Sequence, residues 1–131
     1  PVGDHLRSAG DLAALAGRVL EGEAQEVFIA IALDTRLRVT GYLEIGRGAQ
    51  DQCLVDPRVL YRAMLLAGAV RVAVAHNHPS GDPTPSAPDD ILTRRLAEAG
   101  RMIGIELVDH VIIADGAAPY SYAERDPLAL R

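Results

Sequence analysis

The sequence predicts an α/β fold in which a mixed β-sheet is flanked by helices. Helical and strand patterns alternate along the 131 residues in the order α-β-β-β-α-β-α-β-β, which is typical of a sheet with helices packed on it. Residues 27–33 and 72–75 are apolar without interruption, as in strands that are buried on both faces. The length suits a single domain, residues 1–131, with its own hydrophobic core.

The chain begins with a predicted helix. Residues 8–21 carry apolar side chains at helical spacing, and Ser8 or Asp11 could cap the amino end of this helix. Residues 1–6 are expected to form a loop or a frayed end in which His5 is exposed.

Three strands are predicted next. Residues 26–34 contain the first apolar run, and after a short turn residues 37–45 alternate between apolar and polar side chains as a hairpin partner. Residues 46–51 are expected to form a loop, and residues 52–55 a short third strand.

Two further helices are predicted in the second half. Asp56 and Pro57 are typical of a helix start, as an N-cap acid and a first-turn proline. The second of these helices spans residue 87 to about residue 102, with Gly104 just past its end. The residues expected to face inward are Val59, Leu60, Met64 and Leu65 in one helix and Ile91, Leu92, Leu96, Ala99 and Ile103 in the other.

Strands are predicted on both sides of the last helix, at residues 71–75 and 105–113. Asp115 and Gly116 are expected to turn the chain, and residues 120–122 to form a short final strand before a polar tail.

Composition excludes several classes of protein. Hydrophobic residues make up 49% and charged residues 24% of the chain, and no run approaches the ~20 apolar residues of a membrane span. No secretory signal pattern is visible. Cys53 is the one cysteine, which excludes an internal disulfide or a Cys-based zinc knuckle and fits a cytoplasmic location.

The net charge of the chain indicates which kinds of binding partner are disfavoured. The net charge is −5, and all 13 basic residues are arginines. An acidic domain binds phosphate backbones poorly, so direct nucleic-acid binding is disfavoured.

Two histidines follow the apolar strand at residues 72–75. Successive strand residues point to opposite faces, so His76 and His78 point the same way and Asn77 points away. Pro79 favours an extended backbone at His78 and so preserves this arrangement. Two imidazoles on one side of a strand end could bind one divalent ion at about 2.0–2.1 Å each.

A catalytic zinc site needs a third protein ligand, and Asp89 is the candidate. Ser86 is expected to cap the following helix with Asp89 in its first turn, and the loop of residues 79–85 is long enough to bring that turn over the histidines. Both residue types also have a structural explanation, Ser86 as a cap and Asp89 as an acid favoured by the helix dipole. The residues alone leave both interpretations open.

The spacing from His76 to Asp89 resembles the JAB/MPN (JAMM) metalloprotease signature His-x-His-Pro-x(6)-Ser-x-x-Asp. Residues 75–86, together with residues 107–110, resemble the bacterial RadC family in particular. The likeness extends over about residues 25–125, most of the chain.

This resemblance implies a JAB/MPN-type fold, which is similar to the cytidine-deaminase-like fold. It divides the domain into an N-terminal helix, about residues 1–24, and a metal-site core, residues 25–125. RadC-like chains usually carry a helical region before this domain. Because the sequence starts at Pro1 without a methionine, it is expected to be a fragment.

The resemblance also implies one zinc ion per chain, held by His76, His78 and Asp89. Zinc-bound water loses its proton near neutral pH and can attack an amide. The implied function is that of a metallopeptidase or isopeptidase, with a peptide or protein as its substrate.

Amide hydrolysis also needs a base that takes the proton of water and returns it to the leaving amine. Spacing alone leaves Glu21, Glu23 and Glu26 open. The family's catalytic glutamate precedes an apolar strand of the form Glu-x-Phe, and Glu26 with Phe28 matches that pattern. By the same resemblance, Ser86 helps to hold the tetrahedral oxyanion.

Other residues are given lesser roles. His110 is expected to be a satisfied structural histidine rather than a metal ligand. Residues 46–52 and 116–121 are expected to line a substrate groove.

Alternative functions remain. One is a non-catalytic or DNA-repair-associated RadC module that acts through protein or nucleic-acid binding, against which the intact ligand set and the acidic balance argue. A zinc deaminase needs a Pro-Cys-x-x-Cys pattern, which Cys53 alone excludes. Two histidines and one aspartate suit zinc better than the magnesium of a nuclease. The sequence leaves the oligomeric state open, homo-oligomers included.

Overall fold

The computed structural model describes residues 2–48 and 55–131. Its strands are β1 (Glu26–Leu33), β2 (Val39–Gly48), β3 (Arg71–Asn77), β4 (Glu106–Ile113) and β5 (Tyr120–Ser121). Its helices are α1 (Ala9–Val19), α2 (Pro57–Leu66), α3 (Ala87–Ile103) and the short α4 (Tyr122–Arg125), followed by a 3-10 turn at Pro127–Leu130. These elements confirm the predicted α/β class.

The strands form one mixed sheet in the order β2-β1-β3-β4-β5. β1 runs antiparallel to both β2 and β3, and β4 runs antiparallel to β5. β3 and β4 are parallel, and the connection between them contains α3, because parallel neighbours need a crossover. β3 therefore lies at the centre of the sheet, between β1 and β4.

Helices cover both faces of the sheet. Because strand side chains alternate, β1 and β3 each contribute to two separate hydrophobic clusters. Odd-numbered residues of these strands pack with Leu12 and Leu15 of α1. Even-numbered residues pack with Leu60 of α2 and Leu96 of α3. Continued along β3, the even-numbered face carries His76 towards the start of α3.

The predicted helix starts are confirmed by side-chain caps. The backbone N–H of Asp11 donates to Ser8 Oγ at 3.2 Å, and that of Arg58 donates to Asp56 Oδ1 at 2.9 Å. At the other end, Gly104 closes α3 with a φ of 90°, a left-handed conformation that favours glycine.

The predicted inward face of α2 was partly wrong. The buried residues of α2 are Leu60, Tyr61 and Met64, whereas Val59 and Leu65 are 39% and 58% exposed. Apolar spacing does not fix which flank of a helical stripe meets the sheet, because that depends on the helix's tertiary neighbours.

The predicted inward face of α3 was partly wrong as well. Leu96 is buried as predicted, and Leu92 and Ala99 are half-buried against the same cluster, but Ile91 and Ile103 are exposed. The buried residues of α3 are Thr93, Leu96, Ala97 and Gly100. A side chain at Gly100 would collide with the Tyr61 hydroxyl, so this glycine lets α2 and α3 approach closely. Tyr61 uses that approach to donate a hydrogen bond to the Leu96 carbonyl at 2.6 Å.

The amino terminus is held more firmly than predicted. The Gly3 N–H donates to the Val39 carbonyl at 2.7 Å, and the Leu6 N–H donates to the Leu37 carbonyl at 2.9 Å. His5 forms an isolated bridge with Arg38 and is half-buried. The expected frayed end is therefore an extension of the sheet beside β2.

The hairpin and the tail also differ from expectation. β2 begins at Val39 rather than Leu37. A register shift between Ala32 and Leu33 of β1 interrupts the alternation of β2, so that Val39 is buried whereas Leu43 is 48% exposed. At the carboxyl end the chain forms α4 and the 3-10 turn, where Ala129 is fully buried. The predicted strand at residues 52–55 and Cys53 lie outside the described residues, except for Val55. None of the described helices is long and apolar enough to cross a bilayer.

Candidate metal centre

The candidate centre lies where β3 ends, beneath the first turn of α3. His76 and His78 project from the same side of the strand, as the sequence predicts. Phe28 of β1 pairs with His76, which places Glu26, two residues earlier on β1, beside the two imidazoles. Asp89 enters from the first turn of α3. Four separate polar side chains thus meet from two neighbouring strands and one helix.

The distances between these side chains are short. The two Nε2 atoms of His76 and His78 are 3.0 Å apart. Asp89 Oδ1 lies 3.4 Å from His76 Nε2, and Asp89 Oδ2 lies 3.2 Å from His78 Nε2. Glu26 Oε1 is somewhat farther from the same nitrogens, at 3.9 Å and 3.6 Å.

This geometry fits a small cation with nitrogen and oxygen ligands. With bonds of about 2.0–2.1 Å, the ligand atoms of a tetrahedral zinc site lie about 3.3 Å from one another. The separations between the ligand atoms of His76, His78 and Asp89 are close to this distance. The ligand atoms of Glu26, His76 and His78 also lie within 4.8 Å of one another and could hold a metal ion.

His78 is held by its own loop. Its backbone N–H donates to the Ile113 carbonyl at 2.8 Å, which continues the pairing of β3 with β4. Its Nδ1–H donates to the Asp82 carbonyl at 2.9 Å. Because a neutral imidazole has one donor and one acceptor nitrogen, Nε2 of His78 is left as a lone-pair ligand.

Asp89 combines its structural and its candidate ligand role. Its backbone N–H donates to Ser86 Oγ at 3.1 Å, and its Oδ2 accepts from the Ser86 N–H at 2.9 Å. This reciprocal pair is a capping box. It starts the helix and aims the Asp89 carboxylate at the histidines, so the two interpretations that the sequence left open are compatible.

The site favours a charged carboxylate at Asp89. Burial alone would raise the pKa of the Asp89 carboxyl, but hydrogen bonds with His76 and His78 outweigh it and hold that pKa well below its usual range. The hydrogen bond with Asp89 in turn raises the pKa of His78, against the opposing effect of burial.

His110 is a structural histidine, as predicted, and it touches the site. It is fully buried, and burial lowers its pKa well below the usual value. Its Nε2 lies 2.8 Å from His76 Nδ1, and its Nδ1 lies 2.7 Å from Thr93 Oγ1. Thr93 was not singled out from the sequence, where it stands among the polar residues of an amphipathic helix.

Asn77 has a role that the sequence did not reveal. Its Oδ1 accepts from the Val27 N–H at 2.7 Å, and its Nδ2 donates to the Gln25 carbonyl at 2.9 Å. Both backbone groups flank Glu26. Asn77 therefore fixes the backbone that carries this carboxylate, while pointing away from the histidines as predicted.

An open cleft of about 1610 Å³ runs past the four side chains. Phe28, Val55 and Leu92 give it apolar walls, and Ser86 and Arg95 also line it. Of the predicted groove segments, Gly48 contributes to this cleft, whereas residues 116–121 do not line it. Residues 49–52 lie outside the described part of the chain.

Known proteins are similar to this chain over most of its length. Residues 6–127 match the family model of RadC-like JAB domains. A UPF0758 protein of Clostridium perfringens is 47% identical over 110 residues, which cover 84% of this chain and 48% of that protein. A UPF0758 protein of Stenotrophomonas maltophilia is 39% identical over 130 residues, which cover 96% of this chain and 55% of that protein. The chain thus spans about half the length of these relatives.

Proposed function

This chain belongs to the family of RadC-like JAB domains, and from that premise we propose that it is a zinc-dependent hydrolase of the JAMM type. Its reaction is the cleavage of a peptide or isopeptide bond. The observation that carries the proposal is the convergence of two imidazoles and two carboxylates within 4 Å at one end of a cleft.

His76, His78 and Asp89 are assigned as the ligands of one zinc ion. Asp89 is nearer to both imidazole nitrogens than Glu26 is, and its lowered pKa keeps it anionic. Zinc, when bound, activates water and polarises a carbonyl as a Lewis acid. A site of three protein ligands keeps a position open for that chemistry.

Glu26 is assigned as the general base. Its side chain is 11% exposed and faces both imidazoles. Its Oε1 lies 3.9 Å and 3.6 Å from the two Nε2 atoms, farther than the ~3.3 Å expected between two direct ligands of one zinc ion. From that place it can take the proton of the attacking water and return it to the leaving amine. Asn77, which holds the peptide groups on either side of Glu26, keeps the carboxylate in position for both transfers.

Ser86 is assigned as the donor to the oxyanion. Its Oγ accepts from the Asp89 N–H, and its own hydroxyl hydrogen can still be donated into the cleft that it lines. A donor of this kind stabilises charge that develops on the carbonyl oxygen.

The substrate is proposed to be a peptide or protein rather than nucleic acid, in the cytoplasm. The cleft has apolar walls beside the site, which suit peptide side chains. The chain carries a net charge of −5, and phosphate backbones are repelled by such a balance.

Metal content is the direct test. The wild-type chain is expected to retain about one zinc ion after purification and exchange with zinc, as measured by elemental mass spectrometry. His78→Ala is expected to lose it. Glu26→Gln is expected to keep the zinc and to lose hydrolysis of a quenched fluorescent peptide pool by roughly 10²–10⁴-fold, because a base rather than a ligand is removed.

The controls separate the assignments. Loss of zinc from Glu26→Gln would make Glu26 a ligand instead of the base. A wild-type chain that takes up no zinc would overturn the proposal and favour a binding module. DNA affinity that falls steeply with salt would favour the nucleic-acid alternative.

A further inference from the structure

A chain of buried hydrogen bonds leaves the metal centre on the side away from the cleft. It links His76, His110 and Thr93, which are 1%, 0% and 0% exposed, and it ends on the backbone carbonyl of Asp89. The three distances are 2.8 Å, 2.7 Å and 2.7 Å. The chain starts on one assigned ligand and ends on the residue that supplies another.

The direction of each hydrogen bond follows from its last member. A carbonyl oxygen can only accept, so the Thr93 hydroxyl donates its one hydrogen to the Asp89 carbonyl. Its oxygen must then accept from His110 Nδ1, which carries a hydrogen. The Tyr122 hydroxyl also lies near Thr93, but it donates its hydrogen to Asp90 Oδ1 at 2.7 Å and so does not supply the hydrogen that the Thr93 oxygen accepts.

The same reasoning fixes the tautomer of the ligand. A neutral His110 with a hydrogen on Nδ1 has a lone pair on Nε2, and that lone pair accepts from His76 Nδ1–H. In a neutral His76, the lone pair is then on Nε2, the nitrogen that faces His78 and Asp89. A backbone carbonyl of α3 thus determines, through two side chains, which nitrogen of His76 can bind a metal.

We propose that Thr93 and His110 are positioning residues with two effects. They hold His76 in the tautomer that can bind a metal, and they connect His76 of β3 by hydrogen bonds to the first turn of α3, which carries Asp89. Neither residue touches the metal or the substrate. This inference rests on the proposed metal site, where partners behind a ligand typically affect metal affinity by roughly 10- to 100-fold.

A packing role is the competing explanation. Tyr122 stacks on His110 at 5.0 Å between ring centroids, and Phe28 meets it edge-on at 5.4 Å. Packing would survive Thr93→Val, which keeps the shape of the side chain, whereas the hydrogen-bond chain would not. Thr93→Ser is the opposite substitution, since it keeps the hydroxyl and removes a methyl group. It should therefore keep the hydrogen-bond chain and weaken the packing.

Zinc affinity, measured by competition with a chromophoric chelator, separates these roles. Thr93→Val is expected to bind zinc roughly 10- to 100-fold more weakly than wild type, and Thr93→Ser to bind nearly as tightly as wild type. Thr40→Val is a control for the same substitution elsewhere, because the Thr40 hydroxyl bonds to the Ala32 carbonyl at 3.3 Å, away from the site. A folded Thr93→Val variant with wild-type affinity would overturn the proposal.

The tautomer itself gives a second readout that needs no activity. Long-range ¹H–¹⁵N spectra of the full chain, before zinc is added, are expected to show a hydrogen on Nδ1 of His76, which donates to His110 Nε2. Thr93→Val should lower the fraction of His76 that carries a hydrogen on Nδ1. If the wild-type chain bound no zinc, the proposed function would fail. These spectra would still show whether the hydrogen-bond chain positions His76. A wild-type His76 that lacks a hydrogen on Nδ1 would refute the hydrogen-bond chain even if Thr93→Val did not fold.

Discussion

Asn77 shows how one side chain can replace a piece of a β-ladder. The regular pairing of β1 with β3 ends at Phe28 and His76, and beyond it the Asn77 amide bonds to both peptide groups around Glu26. Asn77 is only 7% exposed, so water cannot readily replace these bonds. An amide is suited to the position because it both donates and accepts.

Asn77→Leu tests this role, since leucine has a similar size and neither polar group. We expect a loss of roughly 1–3 kcal/mol of unfolding free energy for each backbone group left buried without a partner, measured by urea denaturation. Zinc content should stay at the wild-type value, because no ligand is removed.

Hydrolysis in a double-mutant cycle then identifies the residue through which Asn77 acts. If it positions Glu26, Asn77→Leu should slow the proposed hydrolysis in the wild-type background but have little further effect in the Glu26→Gln background. Equal fold-losses in both backgrounds would mean that Asn77 influences the site by a route other than Glu26.

Two residues of the candidate site, Ser86 and Asp89, lie at the start of α3. The local sequence was sufficient to predict this helix start and the pairing of the two residues. Capping chemistry acts over three or four residues, so the pairing of Ser86 with Asp89 is visible in the spacing alone. The same holds for the shared direction of His76 and His78, which needs only the alternation of a strand. Within these short distances along the chain, residue order determines geometry.

The rest of the site depends on contacts that are distant in the sequence. Glu26 lies on another strand, and only the family resemblance selected it from three neighbouring glutamates. Thr93 and Asn77 act through partners 17 and 50 residues away, which no local pattern contains. The burial of Gly100, which was not predicted, has the same origin, because the tight approach of Tyr61 at this glycine is a tertiary contact.

The double role of Ser86 gives a prediction for this element. Ser86→Ala is expected to cost about 1 kcal/mol of stability, as for other N-caps, and also to lower the hydrolysis rate by roughly 10²–10³-fold through loss of an oxyanion donor. Ser8→Ala removes the equivalent cap of α1, which bonds to the Asp11 N–H away from the cleft. It should match the loss of stability without the loss of rate. Similar rates for the two variants would leave Ser86 with the role of a cap alone.

At the scale of the whole molecule, the sheet is assembled independently of the metal centre. Two hydrophobic clusters, one on each face, hold β1 and β3 together, so the histidines at the end of β3 are placed by packing. A ligand set that is brought together in this way can bind a metal without refolding the domain. Metal binding should then raise stability through mass action alone.

Titration with zinc during thermal unfolding tests that view. At a free zinc concentration of about 100 times Kd, binding to the folded state adds about 2.7 kcal/mol, which should raise the Tm by roughly 10 °C for a domain of this size. Circular dichroism should show nearly the same folded secondary structure with and without zinc, because the strands and helices are packed without it. Magnesium should cause little shift, since it prefers six oxygen ligands to imidazole, and His78→Ala should remove most of the response to zinc. A chain that folds only after zinc is added would contradict the independence of the sheet, and an equal zinc response in His78→Ala would place the bound metal elsewhere.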